Sequence, residues 1–184
     1  MSSVKKTVIT SMLIAIGVVL PMVFHMIPTG IAGRALLPMH IPVLIAGLIV
    51  GPVYGFAAGL VTPLFSSMIT GMPIAGLPLY RMMVELSVYG VVAGIAMRFI
   101  HTRRLAFDLY ISLVAAMLLG RIAAGFVQAI ILFGDADFIG IWVAGYFTTS
   151  LPGIVLQLIF IPGIVIALER GRLIPMRYPK KSNV

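Results

Sequence analysis

The chain has 184 residues, of which 61% are hydrophobic, and it carries 13 lysines and arginines against 5 acidic residues. A mean hydropathy of +1.16 excludes a water-soluble domain, and the length accommodates about six membrane spans of roughly 20 residues. The apolar stretches are continuous, which argues against a β-barrel, and the absence of cysteine excludes disulfides and thiolate chemistry.

The pattern predicts a single all-α transmembrane domain over residues 1–184, with six spans. In chain order the spans are expected at about residues 7–27, 40–51, 53–70, 79–100, 109–133 and 139–168. A Gly/Pro-rich segment (28–39), a loop (71–78), a charged loop (101–108) and an acidic turn (134–138) connect them. The last span is long enough to be tilted, or interrupted near Pro152 or Pro162.

The basic residues indicate the orientation. Ten of the 13 cations fall on one side of the six-span topology: Lys5, Lys6, Arg98, Arg103, Arg104, Arg170, Arg172, Arg177, Lys180 and Lys181. By the positive-inside rule both termini are cytoplasmic. The cations cluster beside spans, as lipid-headgroup anchors do, so nucleic acid is not an expected partner and the chain is predicted to be a multi-pass membrane protein.

The three exceptions are Arg34, Arg81 and Arg121, which the topology places in the membrane or on its outer side. A guanidinium stays charged and is expensive in a bilayer, so it usually faces a cavity or a partner. Arg81 and Glu85 share a helix face, with an internal ion pair as the alternative. Because cations exceed the one nearby acid, we predict a receptor for a small anion, bound through carboxylate or phosphate.

Other candidate ligand contacts surround these arginines. Gln128 lies two turns outward from Arg121 on a similar face, and the deeper tyrosines Tyr89 and Tyr146 could stack on a ligand or hydrogen-bond to it. Arg34 lies in the outer Gly/Pro-rich segment, where a solvated arginine is the alternative to a lid over the site.

Other activities lack their residues in this sequence. There is no P-loop for ATP hydrolysis. Intramembrane proteolysis would need paired aspartates within the spans, whereas Asp135 and Asp137 lie in a predicted turn. We therefore predict no enzyme activity and no cofactor. The histidines His25, His40 and His101 lie at spacings that do not make a metal site, and each is expected at a membrane interface.

Small residues at four-residue spacing predict close helix packing. The pairs Gly90/Gly94 and the series Ala116, Gly120 and Ala124 are expected inside the bundle. Ser11 and Ala15 occupy the cytoplasmic half of the first span and could instead face another membrane protein. The glycines 47, 51, 55 and 59 also fall four apart, although Pro52 must break any helix through them.

Nearly the whole chain resembles the substrate-binding S components of energy-coupling-factor (ECF) vitamin transporters. The family's Ala-x-x-x-Ala-type motif is represented by Ser11-x-x-x-Ala15. The resemblance also rests on the six-span layout, the long first outer loop and the stretches Leu37-Pro-Met-His-Ile-Pro-Val, Gly51-Pro-Val-Tyr-Gly, Thr62-Pro-Leu-Phe-Ser-Ser, Thr70-Gly-Met-Pro and Leu119-Gly-Arg-Ile.

The resemblance implies a subunit that binds a water-soluble vitamin from outside, between its outer loops and helices four to six. It further implies docking through the first helix on a transmembrane T component that carries two cytoplasmic ATPases. The segments 28–39 and 71–78 correspond to the family's ligand-covering loops. The arginines favour an acid, pantothenate first, then lipoate, niacin or a folate; pyridoxine, a hydroxymethylpyrimidine and cobalamin remain open.

The sequence leaves two alternative functions open. A self-sufficient secondary transporter of a small organic anion would need a coupling-ion site and usually an inverted repeat, and we find no convincing repeat. An assembly protein without a ligand would leave the membrane arginines unexplained.

Overall fold

The structure is a computed structural model that describes residues 1–25, 36–131 and 148–178. Within these ranges it contains six helices and no strands. The helices are α1 (Ser3–His25), α2 (His40–Val50), α3 (Pro52–Thr70), α4 (Leu77–Phe99), α5 (Leu105–Ile131) and α6 (Leu151–Arg170). Five are long and apolar enough to cross a membrane, whereas α2 is a shorter apolar helix. The predicted all-α membrane fold is therefore confirmed.

Proline and glycine explain several of the helix boundaries. Proline lies in the first turn of α3, α4 and α6, where its missing N–H costs no hydrogen bond. Gly51 separates α2 from α3 with a φ of 116°, and Gly71 ends α3 with a φ of 71°. Both values lie in the region that favours glycine, so these two positions need that residue.

Two predicted boundaries differ from the structure. Helix α5 begins at Leu105, so Asp108 lies in its first turn rather than in a charged loop. The structure describes the last span from the turn at Thr148 onward, and α6 begins at Leu151, beside the proline where an interruption was predicted. The predicted acidic turn and residues 139–147 lie outside the described residues.

Helices α2, α3 and α4 meet backbone to backbone. A Cβ added to Gly90 of α4 would meet the backbone of Gly55 in α3, and one added to Gly47 of α2 would meet the Gly90 carbonyl. Gly94 lies in the same way against Pro52. Such small residues let membrane helices approach closely. The predicted packing role of Gly90 and Gly94 is therefore confirmed.

Helix α4 is the centre of the bundle. It packs against α2, α3 and α5, while α1 lies on α2 and α3, and α6 lies on α2 and α5. Tyr89 of α4 is fully buried in the larger hydrophobic cluster, together with Leu44 of α2, Leu113 of α5 and Ile161 of α6. The side chains that α4 carries toward α2 and α5 are thereby held at fixed positions.

The basic segments gather at one end of the bundle. Lys6 lies 5.9 Å from the ring centroid of Tyr54, next to the α2–α3 turn. At the same end the Arg177 Nε donates to the Asp108 Oδ2 at 2.7 Å, and the Tyr178 hydroxyl donates to the same oxygen at 2.6 Å. The amino terminus, the α2–α3 turn, the start of α5 and the segment after α6 therefore share the end that the charge pattern predicts to be cytoplasmic.

Substituting Gly90 tests the backbone contact. We expect Gly90→Ala to lower the free energy of unfolding by about 1–3 kcal/mol, because the added methyl group overpacks a contact made by backbone atoms. Thermal unfolding of the purified chain in detergent measures the effect.

Gly163→Ala is the matched control, since a Cβ at this α6 glycine meets no atom within 4 Å. Equal melting temperatures for the two variants would contradict the packing account.

Candidate functional site

Three polar side chains from α2 and α4 meet inside the bundle. The Tyr89 hydroxyl donates to the Glu85 Oε1 at 2.9 Å, and the His40 Nε2 lies 3.8 Å from the same oxygen. The rings of His40 and Tyr89 contact edge to face, with centroids 5.5 Å apart. Glu85 and Tyr89 lie four residues apart on α4, so one helix face presents both.

His40 corrects the sequence prediction. It was expected at a membrane interface, but it is 1% exposed and starts α2 inside the bundle. The reason is that α2 has only 11 residues, so its first residue lies well below the outer surface. Neither ring nitrogen has a hydrogen-bond partner among the described residues. A buried imidazole of this kind is suited to donate to, or accept from, a bound ligand.

Arg81 lies one turn before Glu85 on α4 and is partly buried. Its Nη1 donates to the Gln128 Oε1 of α5 at 2.7 Å. Glu85 meanwhile is turned toward Tyr89 and His40. The structure thus brings Arg81 and Gln128 together across the α4–α5 contact.

Arg121 is 2% exposed, in the interior of α5. Its Nη2 donates to the Ser150 Oγ at 3.4 Å, just before α6 begins. The preceding residue, Gly120, packs against the Tyr89 ring, and a Cβ there would lie 3.0 Å from the Glu85 carbonyl oxygen. The residue before Arg121 therefore lies against the Glu85–Tyr89 turn of α4, while the Arg121 guanidinium reaches Ser150.

Gln157 adds a polar group from α6. It is fully buried, and its Nε2 donates to the Leu37 carbonyl at 3.4 Å. The same carbonyl accepts the His40 backbone N–H at 3.1 Å, which places Gln157 near the start of α2. Its Oε1 has no hydrogen-bond partner in the described part of the chain.

The structure places five of the seven predicted ligand residues. Glu85 with Tyr89 and Arg81 with Gln128 form two pairs, and Arg121 follows Gly120, which packs against the Tyr89 ring. The predictions for Arg34 and Tyr146 fall outside the described residues. The role of all seven in ligand binding stays a prediction.

Three polar residues of this region were missed as site residues: His40, Ser150 and Gln157. Gln157 left a signal in the sequence, because it is the only strongly polar side chain between Leu151 and Leu168. An amide in the middle of such a run must find a polar partner inside the protein. His40 follows the Gly/Pro-rich segment and Ser150 follows two threonines, and hydropathy does not give the depth of such positions in the membrane.

Within the described residues there is no group of three or more histidine and acidic side chains that could hold a metal ion. The site instead offers two guanidinium groups, two amides, a tyrosine hydroxyl, an imidazole and one carboxylate. This set can bind an anionic group at the arginines and hydroxyl or amide groups elsewhere.

The predicted docking residues lie at the surface. Ser11 and Ala15 are both exposed on α1, whereas Thr10, Gly17 and Val18 are buried. The exposed face also carries large apolar side chains, including Met12 and Ile16, as a lipid-facing or partner-facing surface does.

A family model for the ECF transporter substrate-specific component matches residues 5–165. The chain belongs to this family, so it is the substrate-binding subunit of an ECF transporter and a multi-pass protein of the plasma membrane. Comparisons with curated proteins and with solved structures found no match.

Removing the Tyr89 hydroxyl tests the polar pair in the bundle. We expect Tyr89→Phe to lower the free energy of unfolding by about 1–3 kcal/mol, because the buried Glu85 carboxylate loses a hydrogen-bond donor. Thermal unfolding in detergent, without added ligand, provides the measurement.

Tyr80→Phe serves as the control, since Tyr80 lies on the same helix but is 61% exposed. A loss of stability shared by both variants would show that the Glu85–Tyr89 bond is not responsible.

Proposed function

We propose that this subunit captures a small vitamin or precursor with an anionic group, pantothenate being the first candidate, from the outer side of the membrane. The observation that carries the proposal is that two guanidinium groups meet α5 inside the bundle: Arg81 of α4 bonds to Gln128 of α5, and Arg121 of α5 bonds to Ser150, just before α6. We assign the ligand's negative charge to these two residues.

The chemistry of this region supports an anion. Arg121 is nearly removed from solvent, and in such a low-dielectric site a charge-assisted hydrogen bond is stronger than in water. Gln128 and Ser150 accept hydrogen bonds from the two guanidinium groups. A carboxylate could replace or share these contacts and bind bidentately through the planar guanidinium.

The remaining polar groups favour pantothenate over lipoate and niacin (nicotinate). Pantothenate carries hydroxyl and amide groups in addition to its carboxylate, and lipoate and nicotinate have no hydroxyl. Glu85 can accept a hydrogen bond from a ligand hydroxyl, and the buried His40 nitrogens and Gln157 Oε1 offer further hydrogen bonds. A site that hydrogen-bonds to a ligand hydroxyl discriminates strongly against a ligand that lacks it.

Transport needs partners that supply energy. The sequence has no P-loop, so we assign ATP hydrolysis to two cytoplasmic ATPases carried by a transmembrane T component, as the family resemblance implies. The exposure of Ser11 and Ala15 on α1 supports their assignment as docking residues. Close approach of a partner helix requires small side chains at such a contact.

Matched ligands test the anion site. Binding of pantothenate and of its neutral alcohol analogue, in which CH₂OH replaces the carboxylate, is measured on the purified chain by calorimetry. We expect pantothenate to bind at least about tenfold more tightly, since hydrogen bonds to a charged group contribute about 1.5–3 kcal/mol. Arg121→Ala and Arg81→Ala should each reduce that preference.

Arg98→Ala is the control, because Arg98 is exposed in the last turn of the same helix that carries Arg81. Mass spectrometry of small molecules released by denaturation identifies the natural ligand independently. Equal affinity for pantothenate and its alcohol analogue would exclude the anion site. Uptake by the chain alone in ATP-free liposomes would instead favour a secondary transporter.

Bulky substitutions on α1 test the docking face. We expect Ser11→Trp and Ala15→Trp to abolish co-purification with the T component, because an indole prevents close helix approach, while ligand binding is retained. Val23→Trp, at an exposed position near the other end of α1, is the control. Normal assembly of both docking variants would place the contact on another face.

A further inference from the structure

A long apolar groove runs between α1 and α6, with α2 as its floor. It encloses about 870 Å³. Its walls include Met12 and Ile16 of α1, Ile41 and Ile45 of α2, and Phe160 and Ile164 of α6. The groove is separate from the described part of the polar site, because none of the five predicted ligand residues that the structure describes lines it.

The groove carries charge at one end only. Among the described lining residues, Lys5 and Arg172 are the charged ones, and both are exposed at the predicted cytoplasmic end. Lys5 precedes most of α1, and Arg172 follows the end of α6. An occupant with a negative head and an apolar body would match this arrangement.

We infer that the groove binds an anionic phospholipid of the inner leaflet, with its phosphate between Lys5 and Arg172 and an acyl chain along α2. The length fits. Lys5 and Leu20 both line the groove, and fifteen residues of helix rise about 22 Å, more than one leaflet of a hydrocarbon core of about 30 Å. The apolar walls argue against a water-soluble anion as the occupant, because such an anion has no acyl chain to bury there.

The cytoplasmic end of the groove is built by tertiary contacts. Leu173 and Ile174 also line it, and the segment that carries them is held by Arg177 and Tyr178, which both donate to the fully buried Asp108. The Arg177 Nη2 additionally donates to the Ile100 carbonyl. Arg172 is thus positioned by a buried network, and this network has no role in the proposed vitamin site.

The first test compares charge variants of equal net charge. The delipidated chain is titrated in a non-ionic detergent with dioleoylphosphatidylglycerol or dioleoylphosphatidylcholine, and bound lipid is counted by native mass spectrometry. We expect one tightly bound phosphatidylglycerol and weaker phosphatidylcholine. Lys5→Gln/Arg172→Gln should weaken phosphatidylglycerol binding at least tenfold, at about fivefold per cation removed.

Lys6→Gln/Arg170→Gln is the matched control, because these two cations are sequence neighbours of the first pair but do not line the groove. Equal weakening in both double variants would reduce the effect to overall charge and overturn the proposal. Equal binding of the two lipids by the unchanged protein would do the same.

The second test fills the groove. We expect Met12→Trp to displace the lipid, while Val19→Trp, at an exposed α1 position outside the lining, leaves it bound. Retention of the lipid in Met12→Trp would place it elsewhere on the protein. A lipid-free dimer in the mass spectrum would show that a second copy of the chain occupies the groove. Failure of the unsubstituted protein to bind phosphatidylglycerol would show that no lipid occupies it.

Discussion

The contact that the rest of the structure depends on is the close approach of α2, α3 and α4 around Gly90. Between membrane helices the lipid removes most of the hydrophobic driving force, so close packing of atoms must hold the helices together. The backbones of Gly47 and Gly55 reach Gly90 because none of the three carries a side chain. This contact fixes α4, and α4 in turn carries Arg81, Glu85 and Tyr89.

The ionisable side chains buried in the described part of the bundle lie at two places, and each place meets a different need. Toward the outer half, Glu85, His40 and Arg121 form a region whose hydrogen-bonding groups suit a ligand. At the cytoplasmic end, Asp108 and Arg177 pair with each other and with Tyr178, which fixes the segment after α6. A buried charge is costly without partners, and in this second network Arg177 and Tyr178 compensate the charge of Asp108.

The two apolar surfaces of α1 adjoin each other. Ser11 and Ala15 form the proposed docking face, and their neighbours Met12 and Ile16 line the groove between α1 and α6. A lipid seated in the groove would therefore lie beside a docked T component. Docking and lipid binding could influence each other through the same helix, since each changes what α1 contacts.

The sequence by itself determined the class of fold, the orientation of the charges and the family, because hydropathy, cation placement and motifs such as Gly51-Pro-Val-Tyr-Gly are local properties. It also indicated Arg34, Arg81 and Arg121 as unusual for their position, and Gln128 as a candidate ligand contact near Arg121. Only the tertiary structure decided the partners: Glu85 contacts His40 and Tyr89, Asp108 binds Arg177, and α2 is short enough to bury His40. These outcomes depend on how helices distant in the sequence rotate and pack against each other, which no periodicity within one helix can specify.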